Sequence, residues 1–317
     1  MPGTRKAKHL LIAAVKLLVV GGAFYFIWSR LAHDEKLDWH LFSKALKQTN
    51  ASWLCAGLLM LTFLNCFLEI LKWHTLANTL KPLSLKQAAA QVLAAVTAAL
   101  FTPNGIGEYA AKALYFEKKQ AKQVVFLNLV CNGVQLLLAV FGGIAGLVYF
   151  NSNYHAVPQR LLLVILGLAV AIILLMSALR KVAIKGYSLR RLISKVNALP
   201  QPAHQKNLLF ALLRYAVLMH QYYLLFLLFN VGTPYPLLLA AIAATYFVGS
   251  SLPSFQFLDF AVKGGIGVFF FGLIGVSEWI VVLVSTLIWL LNTVLPVIAG
   301  SYFVFRFKAV AKPQPGV

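Results

Sequence analysis

The chain has 317 residues, of which 61% are hydrophobic and only 11% charged, and its mean hydropathy is +0.81. A soluble domain of this length carries far more charge, so an ordinary water-soluble protein is excluded. The formal net charge of +20, from 28 basic and 8 acidic residues, would suggest nucleic acid in a soluble chain. Here the lysines and arginines flank apolar runs, which is the pattern of cytoplasmic anchoring against anionic lipid headgroups.

Residues 10–28 form a first apolar run of spanning length. Arg5, Lys6 and Lys8 precede it, and Lys16 within it is placed to snorkel. The bulky Tyr25-Phe-Ile-Trp28 offers no small-residue cleavage pattern, so a retained span is expected rather than a signal peptide. Residues 30–50 mix polar with apolar positions, as in a short interfacial helix. A second span, 52–76, carries Glu69, Lys72 and Trp73 towards its far end, where a local ion pair beside an interfacial Trp accounts for them.

The segment 87–117 is different. Its apolar stretch holds Pro103, Gly105, Gly107, Glu108 and Lys112. Proline removes a helix donor, and glycine takes backbone angles that other residues avoid, so a helix should break here. Each arm is too short for a hydrocarbon core about 30 Å thick. A re-entrant hairpin of two half-helices is expected, because freed backbone groups survive at that depth only inside protein or against a wet cavity.

Residues 124–150 read as a full span, 161–179 cross back to the basic segment 180–206, and 208–229 cross again. A second hairpin is expected over 237–275, broken at Pro253, with two short arms and Asp259, Lys263, Gly264, Gly265 and Gly267 after the break. The last span is 278–305, where Glu278 after Ser277 suits the start of a helix. With the N-terminus in the cytoplasm and both broken segments as hairpins, the basic loop and the C-terminus fall inside. The neutral loops 151–160 and 230–236 then fall outside.

The expected fold is therefore an all-α polytopic membrane protein, with about six full spans and two re-entrant hairpins in an inverted repeat; eight spans is the alternative. The single membrane domain divides into a first half, 10–150, the basic loop 180–206 and a second half, 208–308. Gly105-Ile-Gly107 is echoed by Gly265-Ile-Gly267, and inverted repeats meeting at broken helices mark transporters.

Glu108 and Lys112 stand at i and i+4 and can pair. The pair is either a structural tie or a site for a charged headgroup or coupling proton. The half-helix start at Gly105–Gly107 would offer free N–H groups to a phosphate, with Lys112 or Lys263 alongside. Asp259 and Lys263 repeat the i, i+4 spacing, and Glu69 with Lys72 completes the candidate substrate-binding set. Asn128, Asn132 and Gln135 share one helix face and should bond between helices. The three cysteines, Cys55, Cys66 and Cys131, are read as buried free thiols. No phosphate loop, nucleophile elbow or zinc signature occurs, so neither catalytic residues nor a metal or other cofactor is expected.

Thr102-Pro-Asn-Gly-Ile-Gly-Glu108, the upstream Glu69-x-x-Lys72-Trp73 and the later Gly264-Gly-Ile-Gly267 together resemble the lysylphosphatidylglycerol synthase transmembrane-region family. The resemblance extends over most of the chain. Relative to the family pattern, Ala111 stands where a basic residue is usual, Cys131-Asn132 replaces an acid–Arg pair, and Val268 replaces a Glu. The resemblance implies a stand-alone, flippase-like protein of a bacterial or archaeal inner membrane; the charge distribution puts both termini in the cytoplasm. It would move a phospholipid or polyprenyl-linked precursor. Synthase activity is not expected, since the aminoacyl-transfer region of bifunctional members is a large additional domain. The rival reading is a non-transporting scaffold for envelope lipid or glycan enzymes, docking by the basic loop or as a homo-oligomer. An integral-membrane lipid enzyme is weaker still, for want of a nucleophile.

Overall fold

The computed structural model describes residues 51–160 and 187–307, with isolated positions 43, 44, 47, 163, 164, 167, 171, 183 and 184. Apart from those positions, the expected spans 10–28 and 161–179 and the interfacial segment 30–50 lie outside the described residues. The described helices are α1 (Ala51–Ala77), α2 (Leu85–Ala99), α3 (Gly107–Ala113), α4 (Ala121–Tyr154), α5 (Leu189–Asn197), α6 (Gln201–Leu228), α7 (Tyr235–Ser251), α8 (Asp259–Leu273), α9 (Glu278–Trp289) and α10 (Leu295–Arg306). A π-helical turn, Leu290–Val294, joins α9 to α10 just before Pro296. Two-residue strands β1 (Ala183–Ile184) and β2 (Tyr187–Ser188) pair antiparallel in the basic segment. The regular structure of the described residues is otherwise helical, and a helix satisfies its own backbone groups in hydrocarbon.

Four of the expected spans are present as apolar helices of 26–37 residues: Ser52–Ala77, Lys118–Tyr154, Gln201–Leu228 and Glu278–Arg306. Large apolar side chains such as Trp53, Met60, Phe63 and Phe141 point outwards, which suits lipid and not water. Three corrections concern local structure. The second arm of the second broken segment is not short: Gln256–Leu273 is 18 residues long and apolar enough to cross a membrane. Its glycines do not break it, because Gly264 and Gly267 sit in the helix interior, packed on Ser285 and Val281 of α9. Trp73 is fully buried, not interfacial. All three cysteines are free, but only Cys131 is buried; Cys55 and Cys66 are partly covered.

The first hairpin is written into its local sequence. Ser84 and Gln87 form a reciprocal capping box that starts α2. The chain then turns through Asn104 and Gly105, both in the left-handed region at φ 48° and 68°, where glycine and asparagine are tolerated. The second hairpin breaks at Leu252–Phe255 after α7.

Packing gives the architecture a two-fold character. The helices that precede the hairpins, α1 and α6, run antiparallel, joined by Gln221–Thr62, Arg214–Asn65 and Arg214–Glu69. The arm α2 lies antiparallel on α10, and α7 lies antiparallel on α4, the helix that follows the other hairpin. Both contacts depend on glycine. A Cβ at Gly300 would collide with the carbonyl of Leu93, and one at Gly143 with Phe247, the close approach that small residues permit. The base of the first hairpin lies with the end of α10, through Tyr115 and Phe307. The base of the second lies with the ends of α4 and α6, through Phe150–Phe270 and Phe226–Phe271. The two hairpins thus enter the bundle from opposite ends, and their tips touch. Pro103 bridges to Phe255, Asn104 N–H donates to the Ser254 carbonyl (2.8 Å), and Ser254 N–H donates to Asn104 Oδ1 (3.0 Å).

Candidate functional site

A cavity of about 500 Å³ lies where the tips meet, lined by Glu69, Glu108, Asn132, Arg214, Tyr246, Asp259, Lys263 and Asn292 among others. Both halves of the chain contribute.

Charge at this depth is held by partners from several helices. Glu69 of α1 takes Lys72 Nζ at 3.1 Å and Arg214 Nη1 at 2.8 Å, with Lys112 Nζ at 4.0 Å. Lys112 of α3 is fully buried. It pairs with Glu108 one turn earlier, donates to Asn128 Oδ1 at 2.7 Å and stands 4.4 Å over the Trp73 ring. Trp73 is fixed in turn by its Nε1–H bond to Gln91 Oε1 (2.7 Å). The expected face of α4 delivers Asn128 to Lys112, Asn132 to Glu108 (3.5 Å) and Gln135 to Lys72 (3.3 Å). These are the interhelical bonds the spacing predicts.

A chain of amides extends the network across the halves. Arg214 Nε donates to Asn65 Oδ1 at 3.0 Å, Asn65 donates to Asn292, and Asn292 donates to Gln221 at 3.1 Å. Asn292 sits in the π-helical turn, and such turns recur at functional sites because they re-aim side chains. On the opposite wall, Lys263 pairs with Asp259 at 2.7 Å and stands 4.5 Å over the Tyr246 ring.

Of the residues expected at a site, Glu69, Glu108, Asp259 and Lys263 line the cavity. Lys72 and Lys112 lie behind the carboxylates, with no exposed surface. Pro103 and Gly105 form the tip, Gly107 and Gly267 are packed against neighbours, and Gly265 meets no neighbour among the described residues. The expected phosphate cradle at Gly105–Gly107 does not form. The N–H groups of Gly105, Ile106, Gly107 and Glu108 are already bonded to Thr102 O, Pro103 O, Thr102 Oγ1 and Gly105 O. A tight turn of this kind consumes its own donors. Arg214 was missed by sequence reasoning. The signal was present, since it is an arginine inside the apolar run 208–229, where charge is rare unless it has work to do. Among the described residues, no group of three or more His, Cys, Asp or Glu side chains could hold a metal ion.

The family model described as the lysylphosphatidylglycerol synthase TM region matches residues 13–300. Neither the curated proteins nor the solved structures contain a match to this chain.

Proposed function

The chain belongs to the lysylphosphatidylglycerol synthase transmembrane-region family, and from that premise we propose that it translocates a lipid or lipid-linked precursor across the membrane in flippase fashion. It is an integral membrane protein by family and by its apolar helices. The observation that carries the proposal is the charged cavity at the junction of two hairpins that enter from opposite ends. A headgroup can be met there by polar groups from both halves while acyl chains stay in hydrocarbon.

The base of the first hairpin carries Lys81, Lys86, Lys118, Lys119 and Lys122, and the base of the second has the uncharged turns 230–236 and 274–277. That asymmetry supports a reading in which the first hairpin and both termini are cytoplasmic, and the membrane in that reading is a bacterial or archaeal inner membrane. Both hairpins are then re-entrant. Glu108 is the charge that changes partner during transport, since it faces the cavity while Lys112 holds it from behind. No residue is assigned a catalytic role.

Reconstitution into liposomes with fluorescent anionic and aminoacylated lipids tests the reading. The wild type should accelerate loss of leaflet asymmetry, and Glu108→Gln should abolish the acceleration. An active wild type with an equally active Glu108→Gln variant removes the role of Glu108. An inactive wild type, with a cellular phenotype that depends on the basic 180–206 segment, favours a scaffold instead.

A further inference from the structure

The charge inventory of the cavity does not balance. Among the described residues, Lys72, Lys112, Arg214 and Lys263 stand against the carboxylates Glu69, Glu108 and Asp259, four cations to three anions. One positive charge is left over in a low-dielectric interior, where an unmet charge is costly.

The excess can be met at only two of the four cations. Lys72 and Lys112 have no exposed surface, whereas the side chains of Arg214 and Lys263 are 30% and 12% exposed and line the cavity. Arg214 has its Nε on Asn65 and its Nη1 on Glu69. No bond of its Nη2 amino group is formed among the described residues, and the side chain, which lines the cavity, has donor capacity to spare. The guanidinium fork matches phosphate oxygens, and one already tied to Asn65 and Glu69 is held in place for them.

Resting on the reading of the cavity as a headgroup passage, we propose that Arg214 and Lys263, one from each side of the second break, form a receptor for one singly charged phosphate group, with Glu69 as the built-in competitor for Arg214. A phosphodiester carries the single negative charge that balances the inventory. When it binds, Arg214 divides its donors between the ligand and Glu69. Glu69 keeps Lys72 and the nearby Lys112, so it is not abandoned.

Binding in uncharged detergent tests this apart from transport. The probes are a short-chain phosphatidylglycerol, inorganic phosphate, and the diacylglycerol with the same chains but no phosphate. Phosphatidylglycerol should bind and the diacylglycerol should not. Arg214→Gln should weaken binding by about 30-fold and Lys263→Gln by about tenfold, the loss expected when one partner of a desolvated charged contact is removed. Arg214→Lys should retain part of the binding.

Glu69→Gln supplies the decisive arm. It frees Arg214 and adds positive charge, so it should tighten binding by about tenfold, whereas a merely structural network predicts weakening in every variant. Weaker binding in Glu69→Gln, or unchanged binding in Arg214→Gln that melts like wild type, overturns the receptor. Inorganic phosphate binding as tightly as the lipid, with the same variant pattern, upholds the receptor and overturns the lipid reading of the function. Lipid binding with that pattern but without flipping overturns translocation alone.

Discussion

Each hairpin carries an acid and a lysine four residues apart, yet the two pairs are used in opposite ways. In the first, Lys112 is sealed behind Glu108 by Asn128 and the face of Trp73, and only the carboxylate borders the cavity. In the second, both Asp259 and Lys263 border it. The glycines differ likewise. Gly105 makes the turn of the first hairpin, whereas Gly264, Gly265 and Gly267 lie inside α8, where Gly264 and Gly267 let it pack on α9. Identical local spacing does not fix a role; what stands behind the pair does. The first hairpin is a fixed wall that presents one carboxylate, and the second is the wall that can offer a cation.

The contrast is most open to attack at the lysines. Lys112→Ala should lower stability by about 3–5 kcal/mol, because Glu108 loses its closest cation and Glu69 a further one in a buried setting. Thermal unfolding in detergent should register this as the largest single loss, and Lys263→Ala should cost clearly less while weakening phosphate binding. Equal losses at both positions would erase the distinction.

Next in size is the turn. Gly105→Ala places a Cβ at φ 68° and 2.5 Å from Gln256 Nε2, so about 1–2 kcal/mol of stability should be lost. Asn104→Gly keeps the left-handed backbone but removes the side-chain acceptor for Ser254 N–H. A loss of about 1 kcal/mol is expected, together with faster hydrogen exchange at Ser254. The smallest effect belongs to Gly265→Ala. Its Cβ would meet no atom of the described residues within 4 Å, in a helix interior, so stability should rise by up to about 1 kcal/mol. A large loss there would mean that the second glycine run matters as the first does.

Much of this was legible in the sequence, for reasons that can be named. Composition and apolar run length are local sums, and they identified the membrane class and four described spans. The breaks at Pro103–Gly105 and Pro253 follow from backbone chemistry alone. The pairings Glu108–Lys112, Asp259–Lys263 and Glu69–Lys72 follow from helical spacing, as does the amide face of Asn128, Asn132 and Gln135. Three errors share one cause. The phosphate cradle at Gly105–Gly107, the interfacial Trp73 and the short second arm each depended on what a neighbour supplies, and periodicity carries no record of neighbours.

Helical phase and backbone preference, written within a few residues, determined that this chain crosses a bilayer, where its helices break, and which charges lie one turn apart. Tertiary structure alone decided that Arg214 meets Glu69 across 145 positions of sequence, that Lys112 is closed off while Lys263 is open, and that the tips touch at Asn104 and Ser254. Those outcomes depend on which surfaces the close glycine contacts allow to meet, since burial and charge compensation are set by the atoms on the far side of the interface.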